Sequence, residues 1–130
     1  MSCAKCADHF LITTGPYAGQ RVTVDGPEYE CAAGLGANLG VFDPQAILEE
    51  NFYCDTYGID LISFGTCTAF IMECYQRGQI TQEQMGGLDL CFGNSKAVLE
   101  LLHQISRGEG FGRIAGLGIR KLKKIFTEEF

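Results

Sequence analysis

The chain has 130 residues, 46% hydrophobic and 20% charged, and a formal net charge of −6 from 16 acids against 10 Lys and Arg. That length gives one domain with one core and excludes a multi-domain catalyst working without partners. The acidic balance excludes a nucleic-acid surface, which needs a clustered positive field. The longest apolar stretch, residues 59–72, is broken by Asp60, Ser63 and two threonines and is too short to span a bilayer.

Residues 1–8 hold a Cys-x-x-Cys pair, Cys3 and Cys6, with Lys5 beside it. Two thiolates at that spacing can face one metal, and the lysine lowers their pKa. A structural zinc or an iron–sulfur cluster takes four ligands, however, and no second such pair follows. His9 is a candidate third ligand, or else an ordinary packing or surface residue. The seven cysteines are an odd number, and the N-terminus lacks a basic region followed by an apolar run. Reduced thiols in a cytoplasmic protein are expected, several of them small buried hydrophobes.

Residues 10–14 and 21–24 read as a β-hairpin around Gly15-Pro-Tyr-Ala-Gly19. Residues 26–40 then hold four glycines and two carboxylates, Glu28 and Glu30, beside apolar residues. Glycine lets backbone approach a ligand closely, so this stretch can cradle a polar group; the alternative is a turn-rich connector with solvated glutamates. Asp43 before Pro44 starts a helix that runs through Ile47, Leu48 and Phe52 to Tyr57, where Gly58 stops it. A second helix over 60–77 is apolar on nearly every face between Leu61 and Met72, which predicts burial on all sides and the central place in the core.

Thr81-Gln-Glu-Gln84 has the capping-box spacing of a short helix before Gly86-Gly87. Asn94 caps a helix whose Val98, Leu101, Leu102 and Ile105 form one stripe, with His103 beside it as a half-exposed residue. After a glycine-rich break over 107–112, residues 114–126 read as a last helix. Its Arg120, Lys121, Lys123 and Lys124 suit the C-terminal dipole and form a solvated face. Gly110-Phe-Gly112-Arg-Ile-Ala115 has dinucleotide-fingerprint spacing, but a helix precedes it where the fingerprint requires a strand, so that match is rejected. The predicted fold class is mainly α with a small N-terminal β-hairpin, one domain over residues 1–130.

Taken together these segments resemble the aldehyde ferredoxin oxidoreductases, a family of tungsten-pterin enzymes. The matching pieces are Cys3-x-x-Cys6, Gly26-Pro-Glu-Tyr-Glu30, Gly34-Leu-Gly-Ala-Asn-Leu-Gly40, Asp55-Thr-Tyr-Gly-Ile-Asp60, Phe70-Ile-Met-Glu73 with Gly78-x-Ile-Thr81, Gly86-Gly-Leu88, and Gly110-Phe-Gly112. They fall in the family's order and cover nearly the whole chain. The resemblance implies the middle helical portion of a longer enzyme that oxidises aldehydes to carboxylic acids and passes electrons through a 4Fe-4S cluster to ferredoxin. It assigns the pterin cofactor to Asp55, Gly58, Ile59 and Asp60, proton transfer at the tungsten centre to Glu28 and Glu30, and two cluster ligands to Cys3 and Cys6.

The chain also departs from the family. The third cluster cysteine is expected at position 10, where this chain has Phe10, and the fourth would lie beyond Phe130. Two thiolates do not hold a four-iron cluster unaided. A fragment, a truncated relative or one piece of a split assembly is therefore expected, with residues 1–9 a truncated cysteine-cluster segment and the flanking domains or a partner chain supplying the rest. Two further readings stand beside the enzyme: a non-catalytic interaction module that has lost cofactor binding, and a small Cys-x-x-Cys metal or redox protein. For Glu28 and Glu30, desolvation beside a buried metal centre would raise the pKa toward neutrality and suit acid–base work on an aldehyde hydrate. Otherwise they are exposed, or favour the N-terminal end of a helix.

Overall fold

A computed structural model of the chain describes residues 7–25 and 27–130. Two strands, β1 (Ala7–Leu11) and β2 (Arg21–Asp25), pair antiparallel with Phe10 opposite Val22. Alternation puts Phe10 and Val24 into the core and leaves His9 and Leu11 outside. The ladder ends at Leu11, short of the expected Thr14, because the N–H groups of Thr13 and Thr14 leave the strand register for the Glu49 carboxylate, at 2.7 and 2.8 Å.

Residues 29–40 correct the sequence reading, since they form a helix and a tight turn in place of a connector. Helix α1 (Tyr29–Leu35) is followed by a 3-10 turn (Ala37–Leu39), and Leu35 and Leu39 are both fully buried. Gly34 weakens the helix locally, yet α3 (Leu61–Gln76) needs close approach there. A Cβ on Gly65 of α3 would stand 2.7 Å from the Gly34 carbonyl oxygen, so α1 crosses α3 backbone to backbone.

Helix α2 (Pro44–Tyr57) has the expected bounds. Asp43 caps it by accepting from the Gln45 N–H at 3.1 Å, and Gly58 closes it in the left-handed conformation. Helix α3 (Leu61–Gln76) is capped by Asp60, which accepts from the Ser63 N–H at 2.9 Å. It is not buried on all sides: Ile62 is 51% exposed, and Leu61, Cys67 and Phe70 are half-buried. The centre belongs to α2, which packs against β2, α1, α3 and α4.

Residues 81–84 make both capping-box bonds, Thr81 N–H to Gln84 and Gln84 N–H to the Thr81 hydroxyl, but the chain turns once and stops at Gly86 and Gly87. No apolar stripe follows to hold a helix there. Helix α4 (Ser95–Arg107) is capped by Asn94 and closed by Gly108, and it buries Val98, Leu101 and Leu102. The expected last helix is split into α5 (Gly112–Ala115) and α6 (Ile119–Glu128), because Gly118 with φ of 86° interrupts it. On α6 Leu122 is buried while Arg120, Lys121, Lys123 and Lys124 face solvent. Among the described residues, no helix is long and apolar enough to cross a membrane.

Candidate functional site

Glu28 and Glu30 open α1 and both are exposed; Glu28 is the capping residue, and its side chain makes no capping bond. Asp55 lies, exposed, in the last turn of α2, and beyond Tyr57 the chain turns through Gly58 and a half-buried Ile59 into Asp60. The two segments meet at Cys31 of α1. Burial pushes its thiol pKa up, with the Glu28 carboxylate next and Asp55 and Glu30 adding to it. Cys54 of α2 is fully buried and its thiol is raised further, by burial first, then by Glu50, Asp55 and Asp60. The acids expected from sequence thus act electrostatically on two thiols and favour their neutral S–H form.

The desolvated glutamate of this region is neither Glu28 nor Glu30. Glu50, one turn before Cys54 on the same face of α2, is fully buried and neither oxygen has a hydrogen-bond partner. Burial, with a smaller push from neighbouring Glu49, raises its pKa to about 9, so it carries a proton at neutral pH. Glu49 is as deeply buried but well partnered: it accepts from the N–H and hydroxyl of both Thr13 and Thr14. The sequence does carry a signal for Glu50, since Ala46, Glu50, Tyr53 and Cys54 lie on one helical face and the other three are apolar.

His103 corrects the expectation of a half-exposed residue, being 3% exposed. Its Nε2 lies 3.0 Å from the Thr14 hydroxyl and its Nδ1 2.7 Å from the Tyr57 hydroxyl. Beside Asp60 a groove of about 200 Å³ runs between α3 and the α5–α6 turn, walled by Ile59, Phe64, Cys67, Ile105 and Ala115.

The donor set separates the two groups implied by the resemblance. Cys3, Cys6 and Gly26 lie outside the described residues, and among the described residues no three His, Cys, Asp or Glu side chains are grouped to hold a metal ion. Phe10, at the position expected for a third cluster cysteine, is 4% exposed and packs edge-on against Phe52 with ring centres 6.4 Å apart. A four-iron cluster therefore does not fit the ligands of this chain alone. The 55–60 turn fits a polar organic cofactor better, because Asp55 and Asp60 are exposed and a Cβ on Gly58 would meet nothing within 4 Å.

The family model for "Aldehyde ferredoxin oxidoreductase, domains 2 & 3" matches residues 1–130. The chain is 44% identical over 111 residues to a tungsten-containing aldehyde ferredoxin oxidoreductase of Pyrococcus abyssi, covering 82% of this chain and 18% of that protein. It is 41% identical over 114 residues to the WOR-like subunit of an aliphatic sulfonate oxidoreductase of Pyrococcus furiosus, covering 88% of this chain and 18% of that protein. Against a glyceraldehyde-3-phosphate:ferredoxin oxidoreductase of Pyrococcus furiosus it is 32% identical over 92 residues, covering 58% of this chain and 14% of the relative. The chain spans less than a fifth of the length of these curated relatives.

Proposed function

Since the chain belongs to the aldehyde ferredoxin oxidoreductase family, we propose that it forms the middle helical portion of a tungsten-pterin enzyme that oxidises aldehydes to carboxylic acids, with ferredoxin as electron acceptor. The observation that supports this reading is the packing of α1, which Glu28 and Glu30 open, against α2, whose last turn holds Asp55, so that the candidate acid–base segment and the candidate cofactor turn lie on neighbouring helices. Asp55, Gly58, Ile59 and Asp60 would hold the pterin. When bound, the tungsten-pterin group would supply the two-electron redox chemistry.

The work left to this chain is binding and proton transfer. The exposed carboxylates of Asp55 and Asp60 would accept hydrogen bonds from a pterin's N–H groups, and no atom stands within 4 Å of where a Cβ on Gly58 would lie. Glu28 or Glu30 would take one of the two protons released, the other leaving to solvent, as an aldehyde hydrate gives up two electrons to the bound cofactor and becomes an acid. Both are exposed in this chain, so the desolvation that tunes such a base would come from the bound cofactor and the surfaces around it. The cysteines are consistent with a reducing cytoplasm, because Cys31, Cys54, Cys67, Cys74 and Cys91 are all free thiols. Cys3 and Cys6 would supply two cluster ligands, with the others from outside the chain.

The test uses a relative that carries this segment, with each glutamate changed to glutamine and tungsten content held constant. Loss of turnover of about 10²-fold or more in one variant is expected. Full activity in both, with cofactor retained, removes Glu28 and Glu30 from the chemistry. Phe10 in the core favours a second reading, a helical module without a cluster. Metal analysis separates the readings: tungsten or iron in stoichiometric amount supports the enzyme, and no metal supports the module.

A further inference from the structure

We propose that His103 is a positioning residue for the 55–60 turn, coupling it to the hairpin connection through Tyr57 on one side and through Thr14 and Glu49 on the other. Tyr57 lies inside the turn sequence, between Asp55 and Gly58, and its hydroxyl meets His103 Nδ1 at 2.7 Å. On the far side of the ring, Nε2 meets the Thr14 hydroxyl at 3.0 Å, and that hydroxyl lies 3.3 Å from Glu49 Oε1. Four side chains from three separate segments therefore form one hydrogen-bonded row. Tyr53 packs edge-on against the imidazole, with centres 4.5 Å apart, and its own hydroxyl donates to the Thr14 carbonyl.

The direction of the row follows from what each group can give. A carboxylate only accepts, so the Thr14 hydroxyl donates to Glu49 and must itself accept from the ring. That places the imidazole hydrogen on Nε2 and leaves the lone pair of Nδ1 to accept from the Tyr57 hydroxyl. A second proton on the ring would fill Nδ1, and the Tyr57 hydroxyl, whose hydrogen points there, would have to turn away. Charging His103 therefore reverses a bond to the turn, while the Thr14 and Glu49 side can keep its sense.

The groups facing the ring are Tyr53, Tyr57 and Glu49 of α2, Thr14 of the connection, and Glu100 and Arg107 of its own helix. Burial holds the imidazole below its ordinary range; Glu100 and Glu49 oppose this and Arg107 reinforces it. The neutral ring and its bond to Tyr57 thus persist at neutral pH and give way on acidification. That the turn serves a cofactor rests on the proposed function, whereas the coupling belongs to the chain itself and is tested without cofactor.

The experiment is a nuclear magnetic resonance titration of the full chain from about pH 8 to about pH 4, following the His103 ring and the backbone amides of Asp55, Tyr57, Gly58 and Ile59. Wild-type amides are expected to move with the midpoint of the His103 ring. In His103→Gln that component is lost, and the movement that remains is that of the Asp55 carboxyl, which this variant reads by itself and which is subtracted from the wild-type curve. In Tyr57→Phe the ring still titrates but the turn no longer follows it, which keeps the test open should His103→Gln fail to fold. Turn amides that ignore the ring in the wild type, or that keep its midpoint in Tyr57→Phe, would overturn the proposal.

Discussion

On the face of α2 that meets the hairpin connection, the Glu49 carboxylate takes four hydrogen bonds from Thr13 and Thr14, whereas one residue on, Glu50 is as deeply buried and neither of its oxygens meets a donor. The same side chain at the same depth therefore meets two environments. Where the fold offers backbone N–H groups a carboxylate can be kept in the interior; where it offers no donor, a proton takes the place of the partner. The first face is closed on itself. The second has unspent polar capacity, and on that side Glu50 acts on the Cys54 thiol together with Asp55 and Asp60.

The sharpest way to break this contrast is Glu49→Ala. It removes four hydrogen bonds to a buried carboxylate, leaves the part-buried N–H groups of Thr13 and Thr14 without that partner and removes one end of the His103 row, so a loss of roughly 3–5 kcal/mol is expected in urea unfolding. Amide exchange in residues 12–20 should accelerate with it. Wild-type stability in this variant would mean that the connection is held by other contacts.

Glu50 gives a smaller and pH-dependent effect. Its folded pKa of about 9 lies above the ordinary 4.5, so the folded chain binds a proton that the unfolded chain releases between those values. The associated stability is complete below pH 4.5 and is lost as pH rises through about 9. In Glu50→Gln this slope disappears. Relative to wild type, the variant should gain roughly 3 kcal/mol between pH 4.5 and pH 7, measured by unfolding at each pH. Parallel pH profiles for the two proteins would show that Glu50 is ionised and partnered.

Gly65→Ala acts on the second face alone. The new methyl would meet the Gly34 carbonyl at 2.7 Å and push α1 off α3, at roughly 1–3 kcal/mol. Cys31 should then react faster with a thiol reagent, while Cys54 stays protected in the core. Unchanged Cys31 reactivity would separate the packing of α1 from the meeting of acids at that thiol.

Helices α2, α3 and α4 were legible because each begins at a residue that caps it, Asp43, Asp60 or Asn94, and each is followed by a stopping glycine. Local chemistry alone decides such ends. Helix α1 was not legible, since Gly34 and Gly36 read as turn residues and its helicity depends on distant packing of Leu35, Leu39 and Gly65. Residues 81–84 show the reverse case, in which the correct capping bonds form without a helix to cap. For the site, the meeting of Glu28 and Glu30 with Asp55 needs the α1–α2 contact and cannot be read from spacing. The opposite fates of Glu49 and Glu50 depend on whether a loop some 35 residues away delivers N–H groups.

Asp60 has an obligation to the fold before any ligand arrives. The backbone and side chain of Ser63 hold its carboxyl below the usual range, and the bond to the Ser63 N–H fixes the first turn of α3. A guest that engages Asp60 therefore competes with a helix for the same acceptor. Occupancy of the 55–60 turn and order at the start of α3 are thermodynamically linked, and the Ser63 amide becomes a reporter: a ligand that recruits this carboxylate lowers its exchange protection, while one held by Asp55 alone leaves it unchanged.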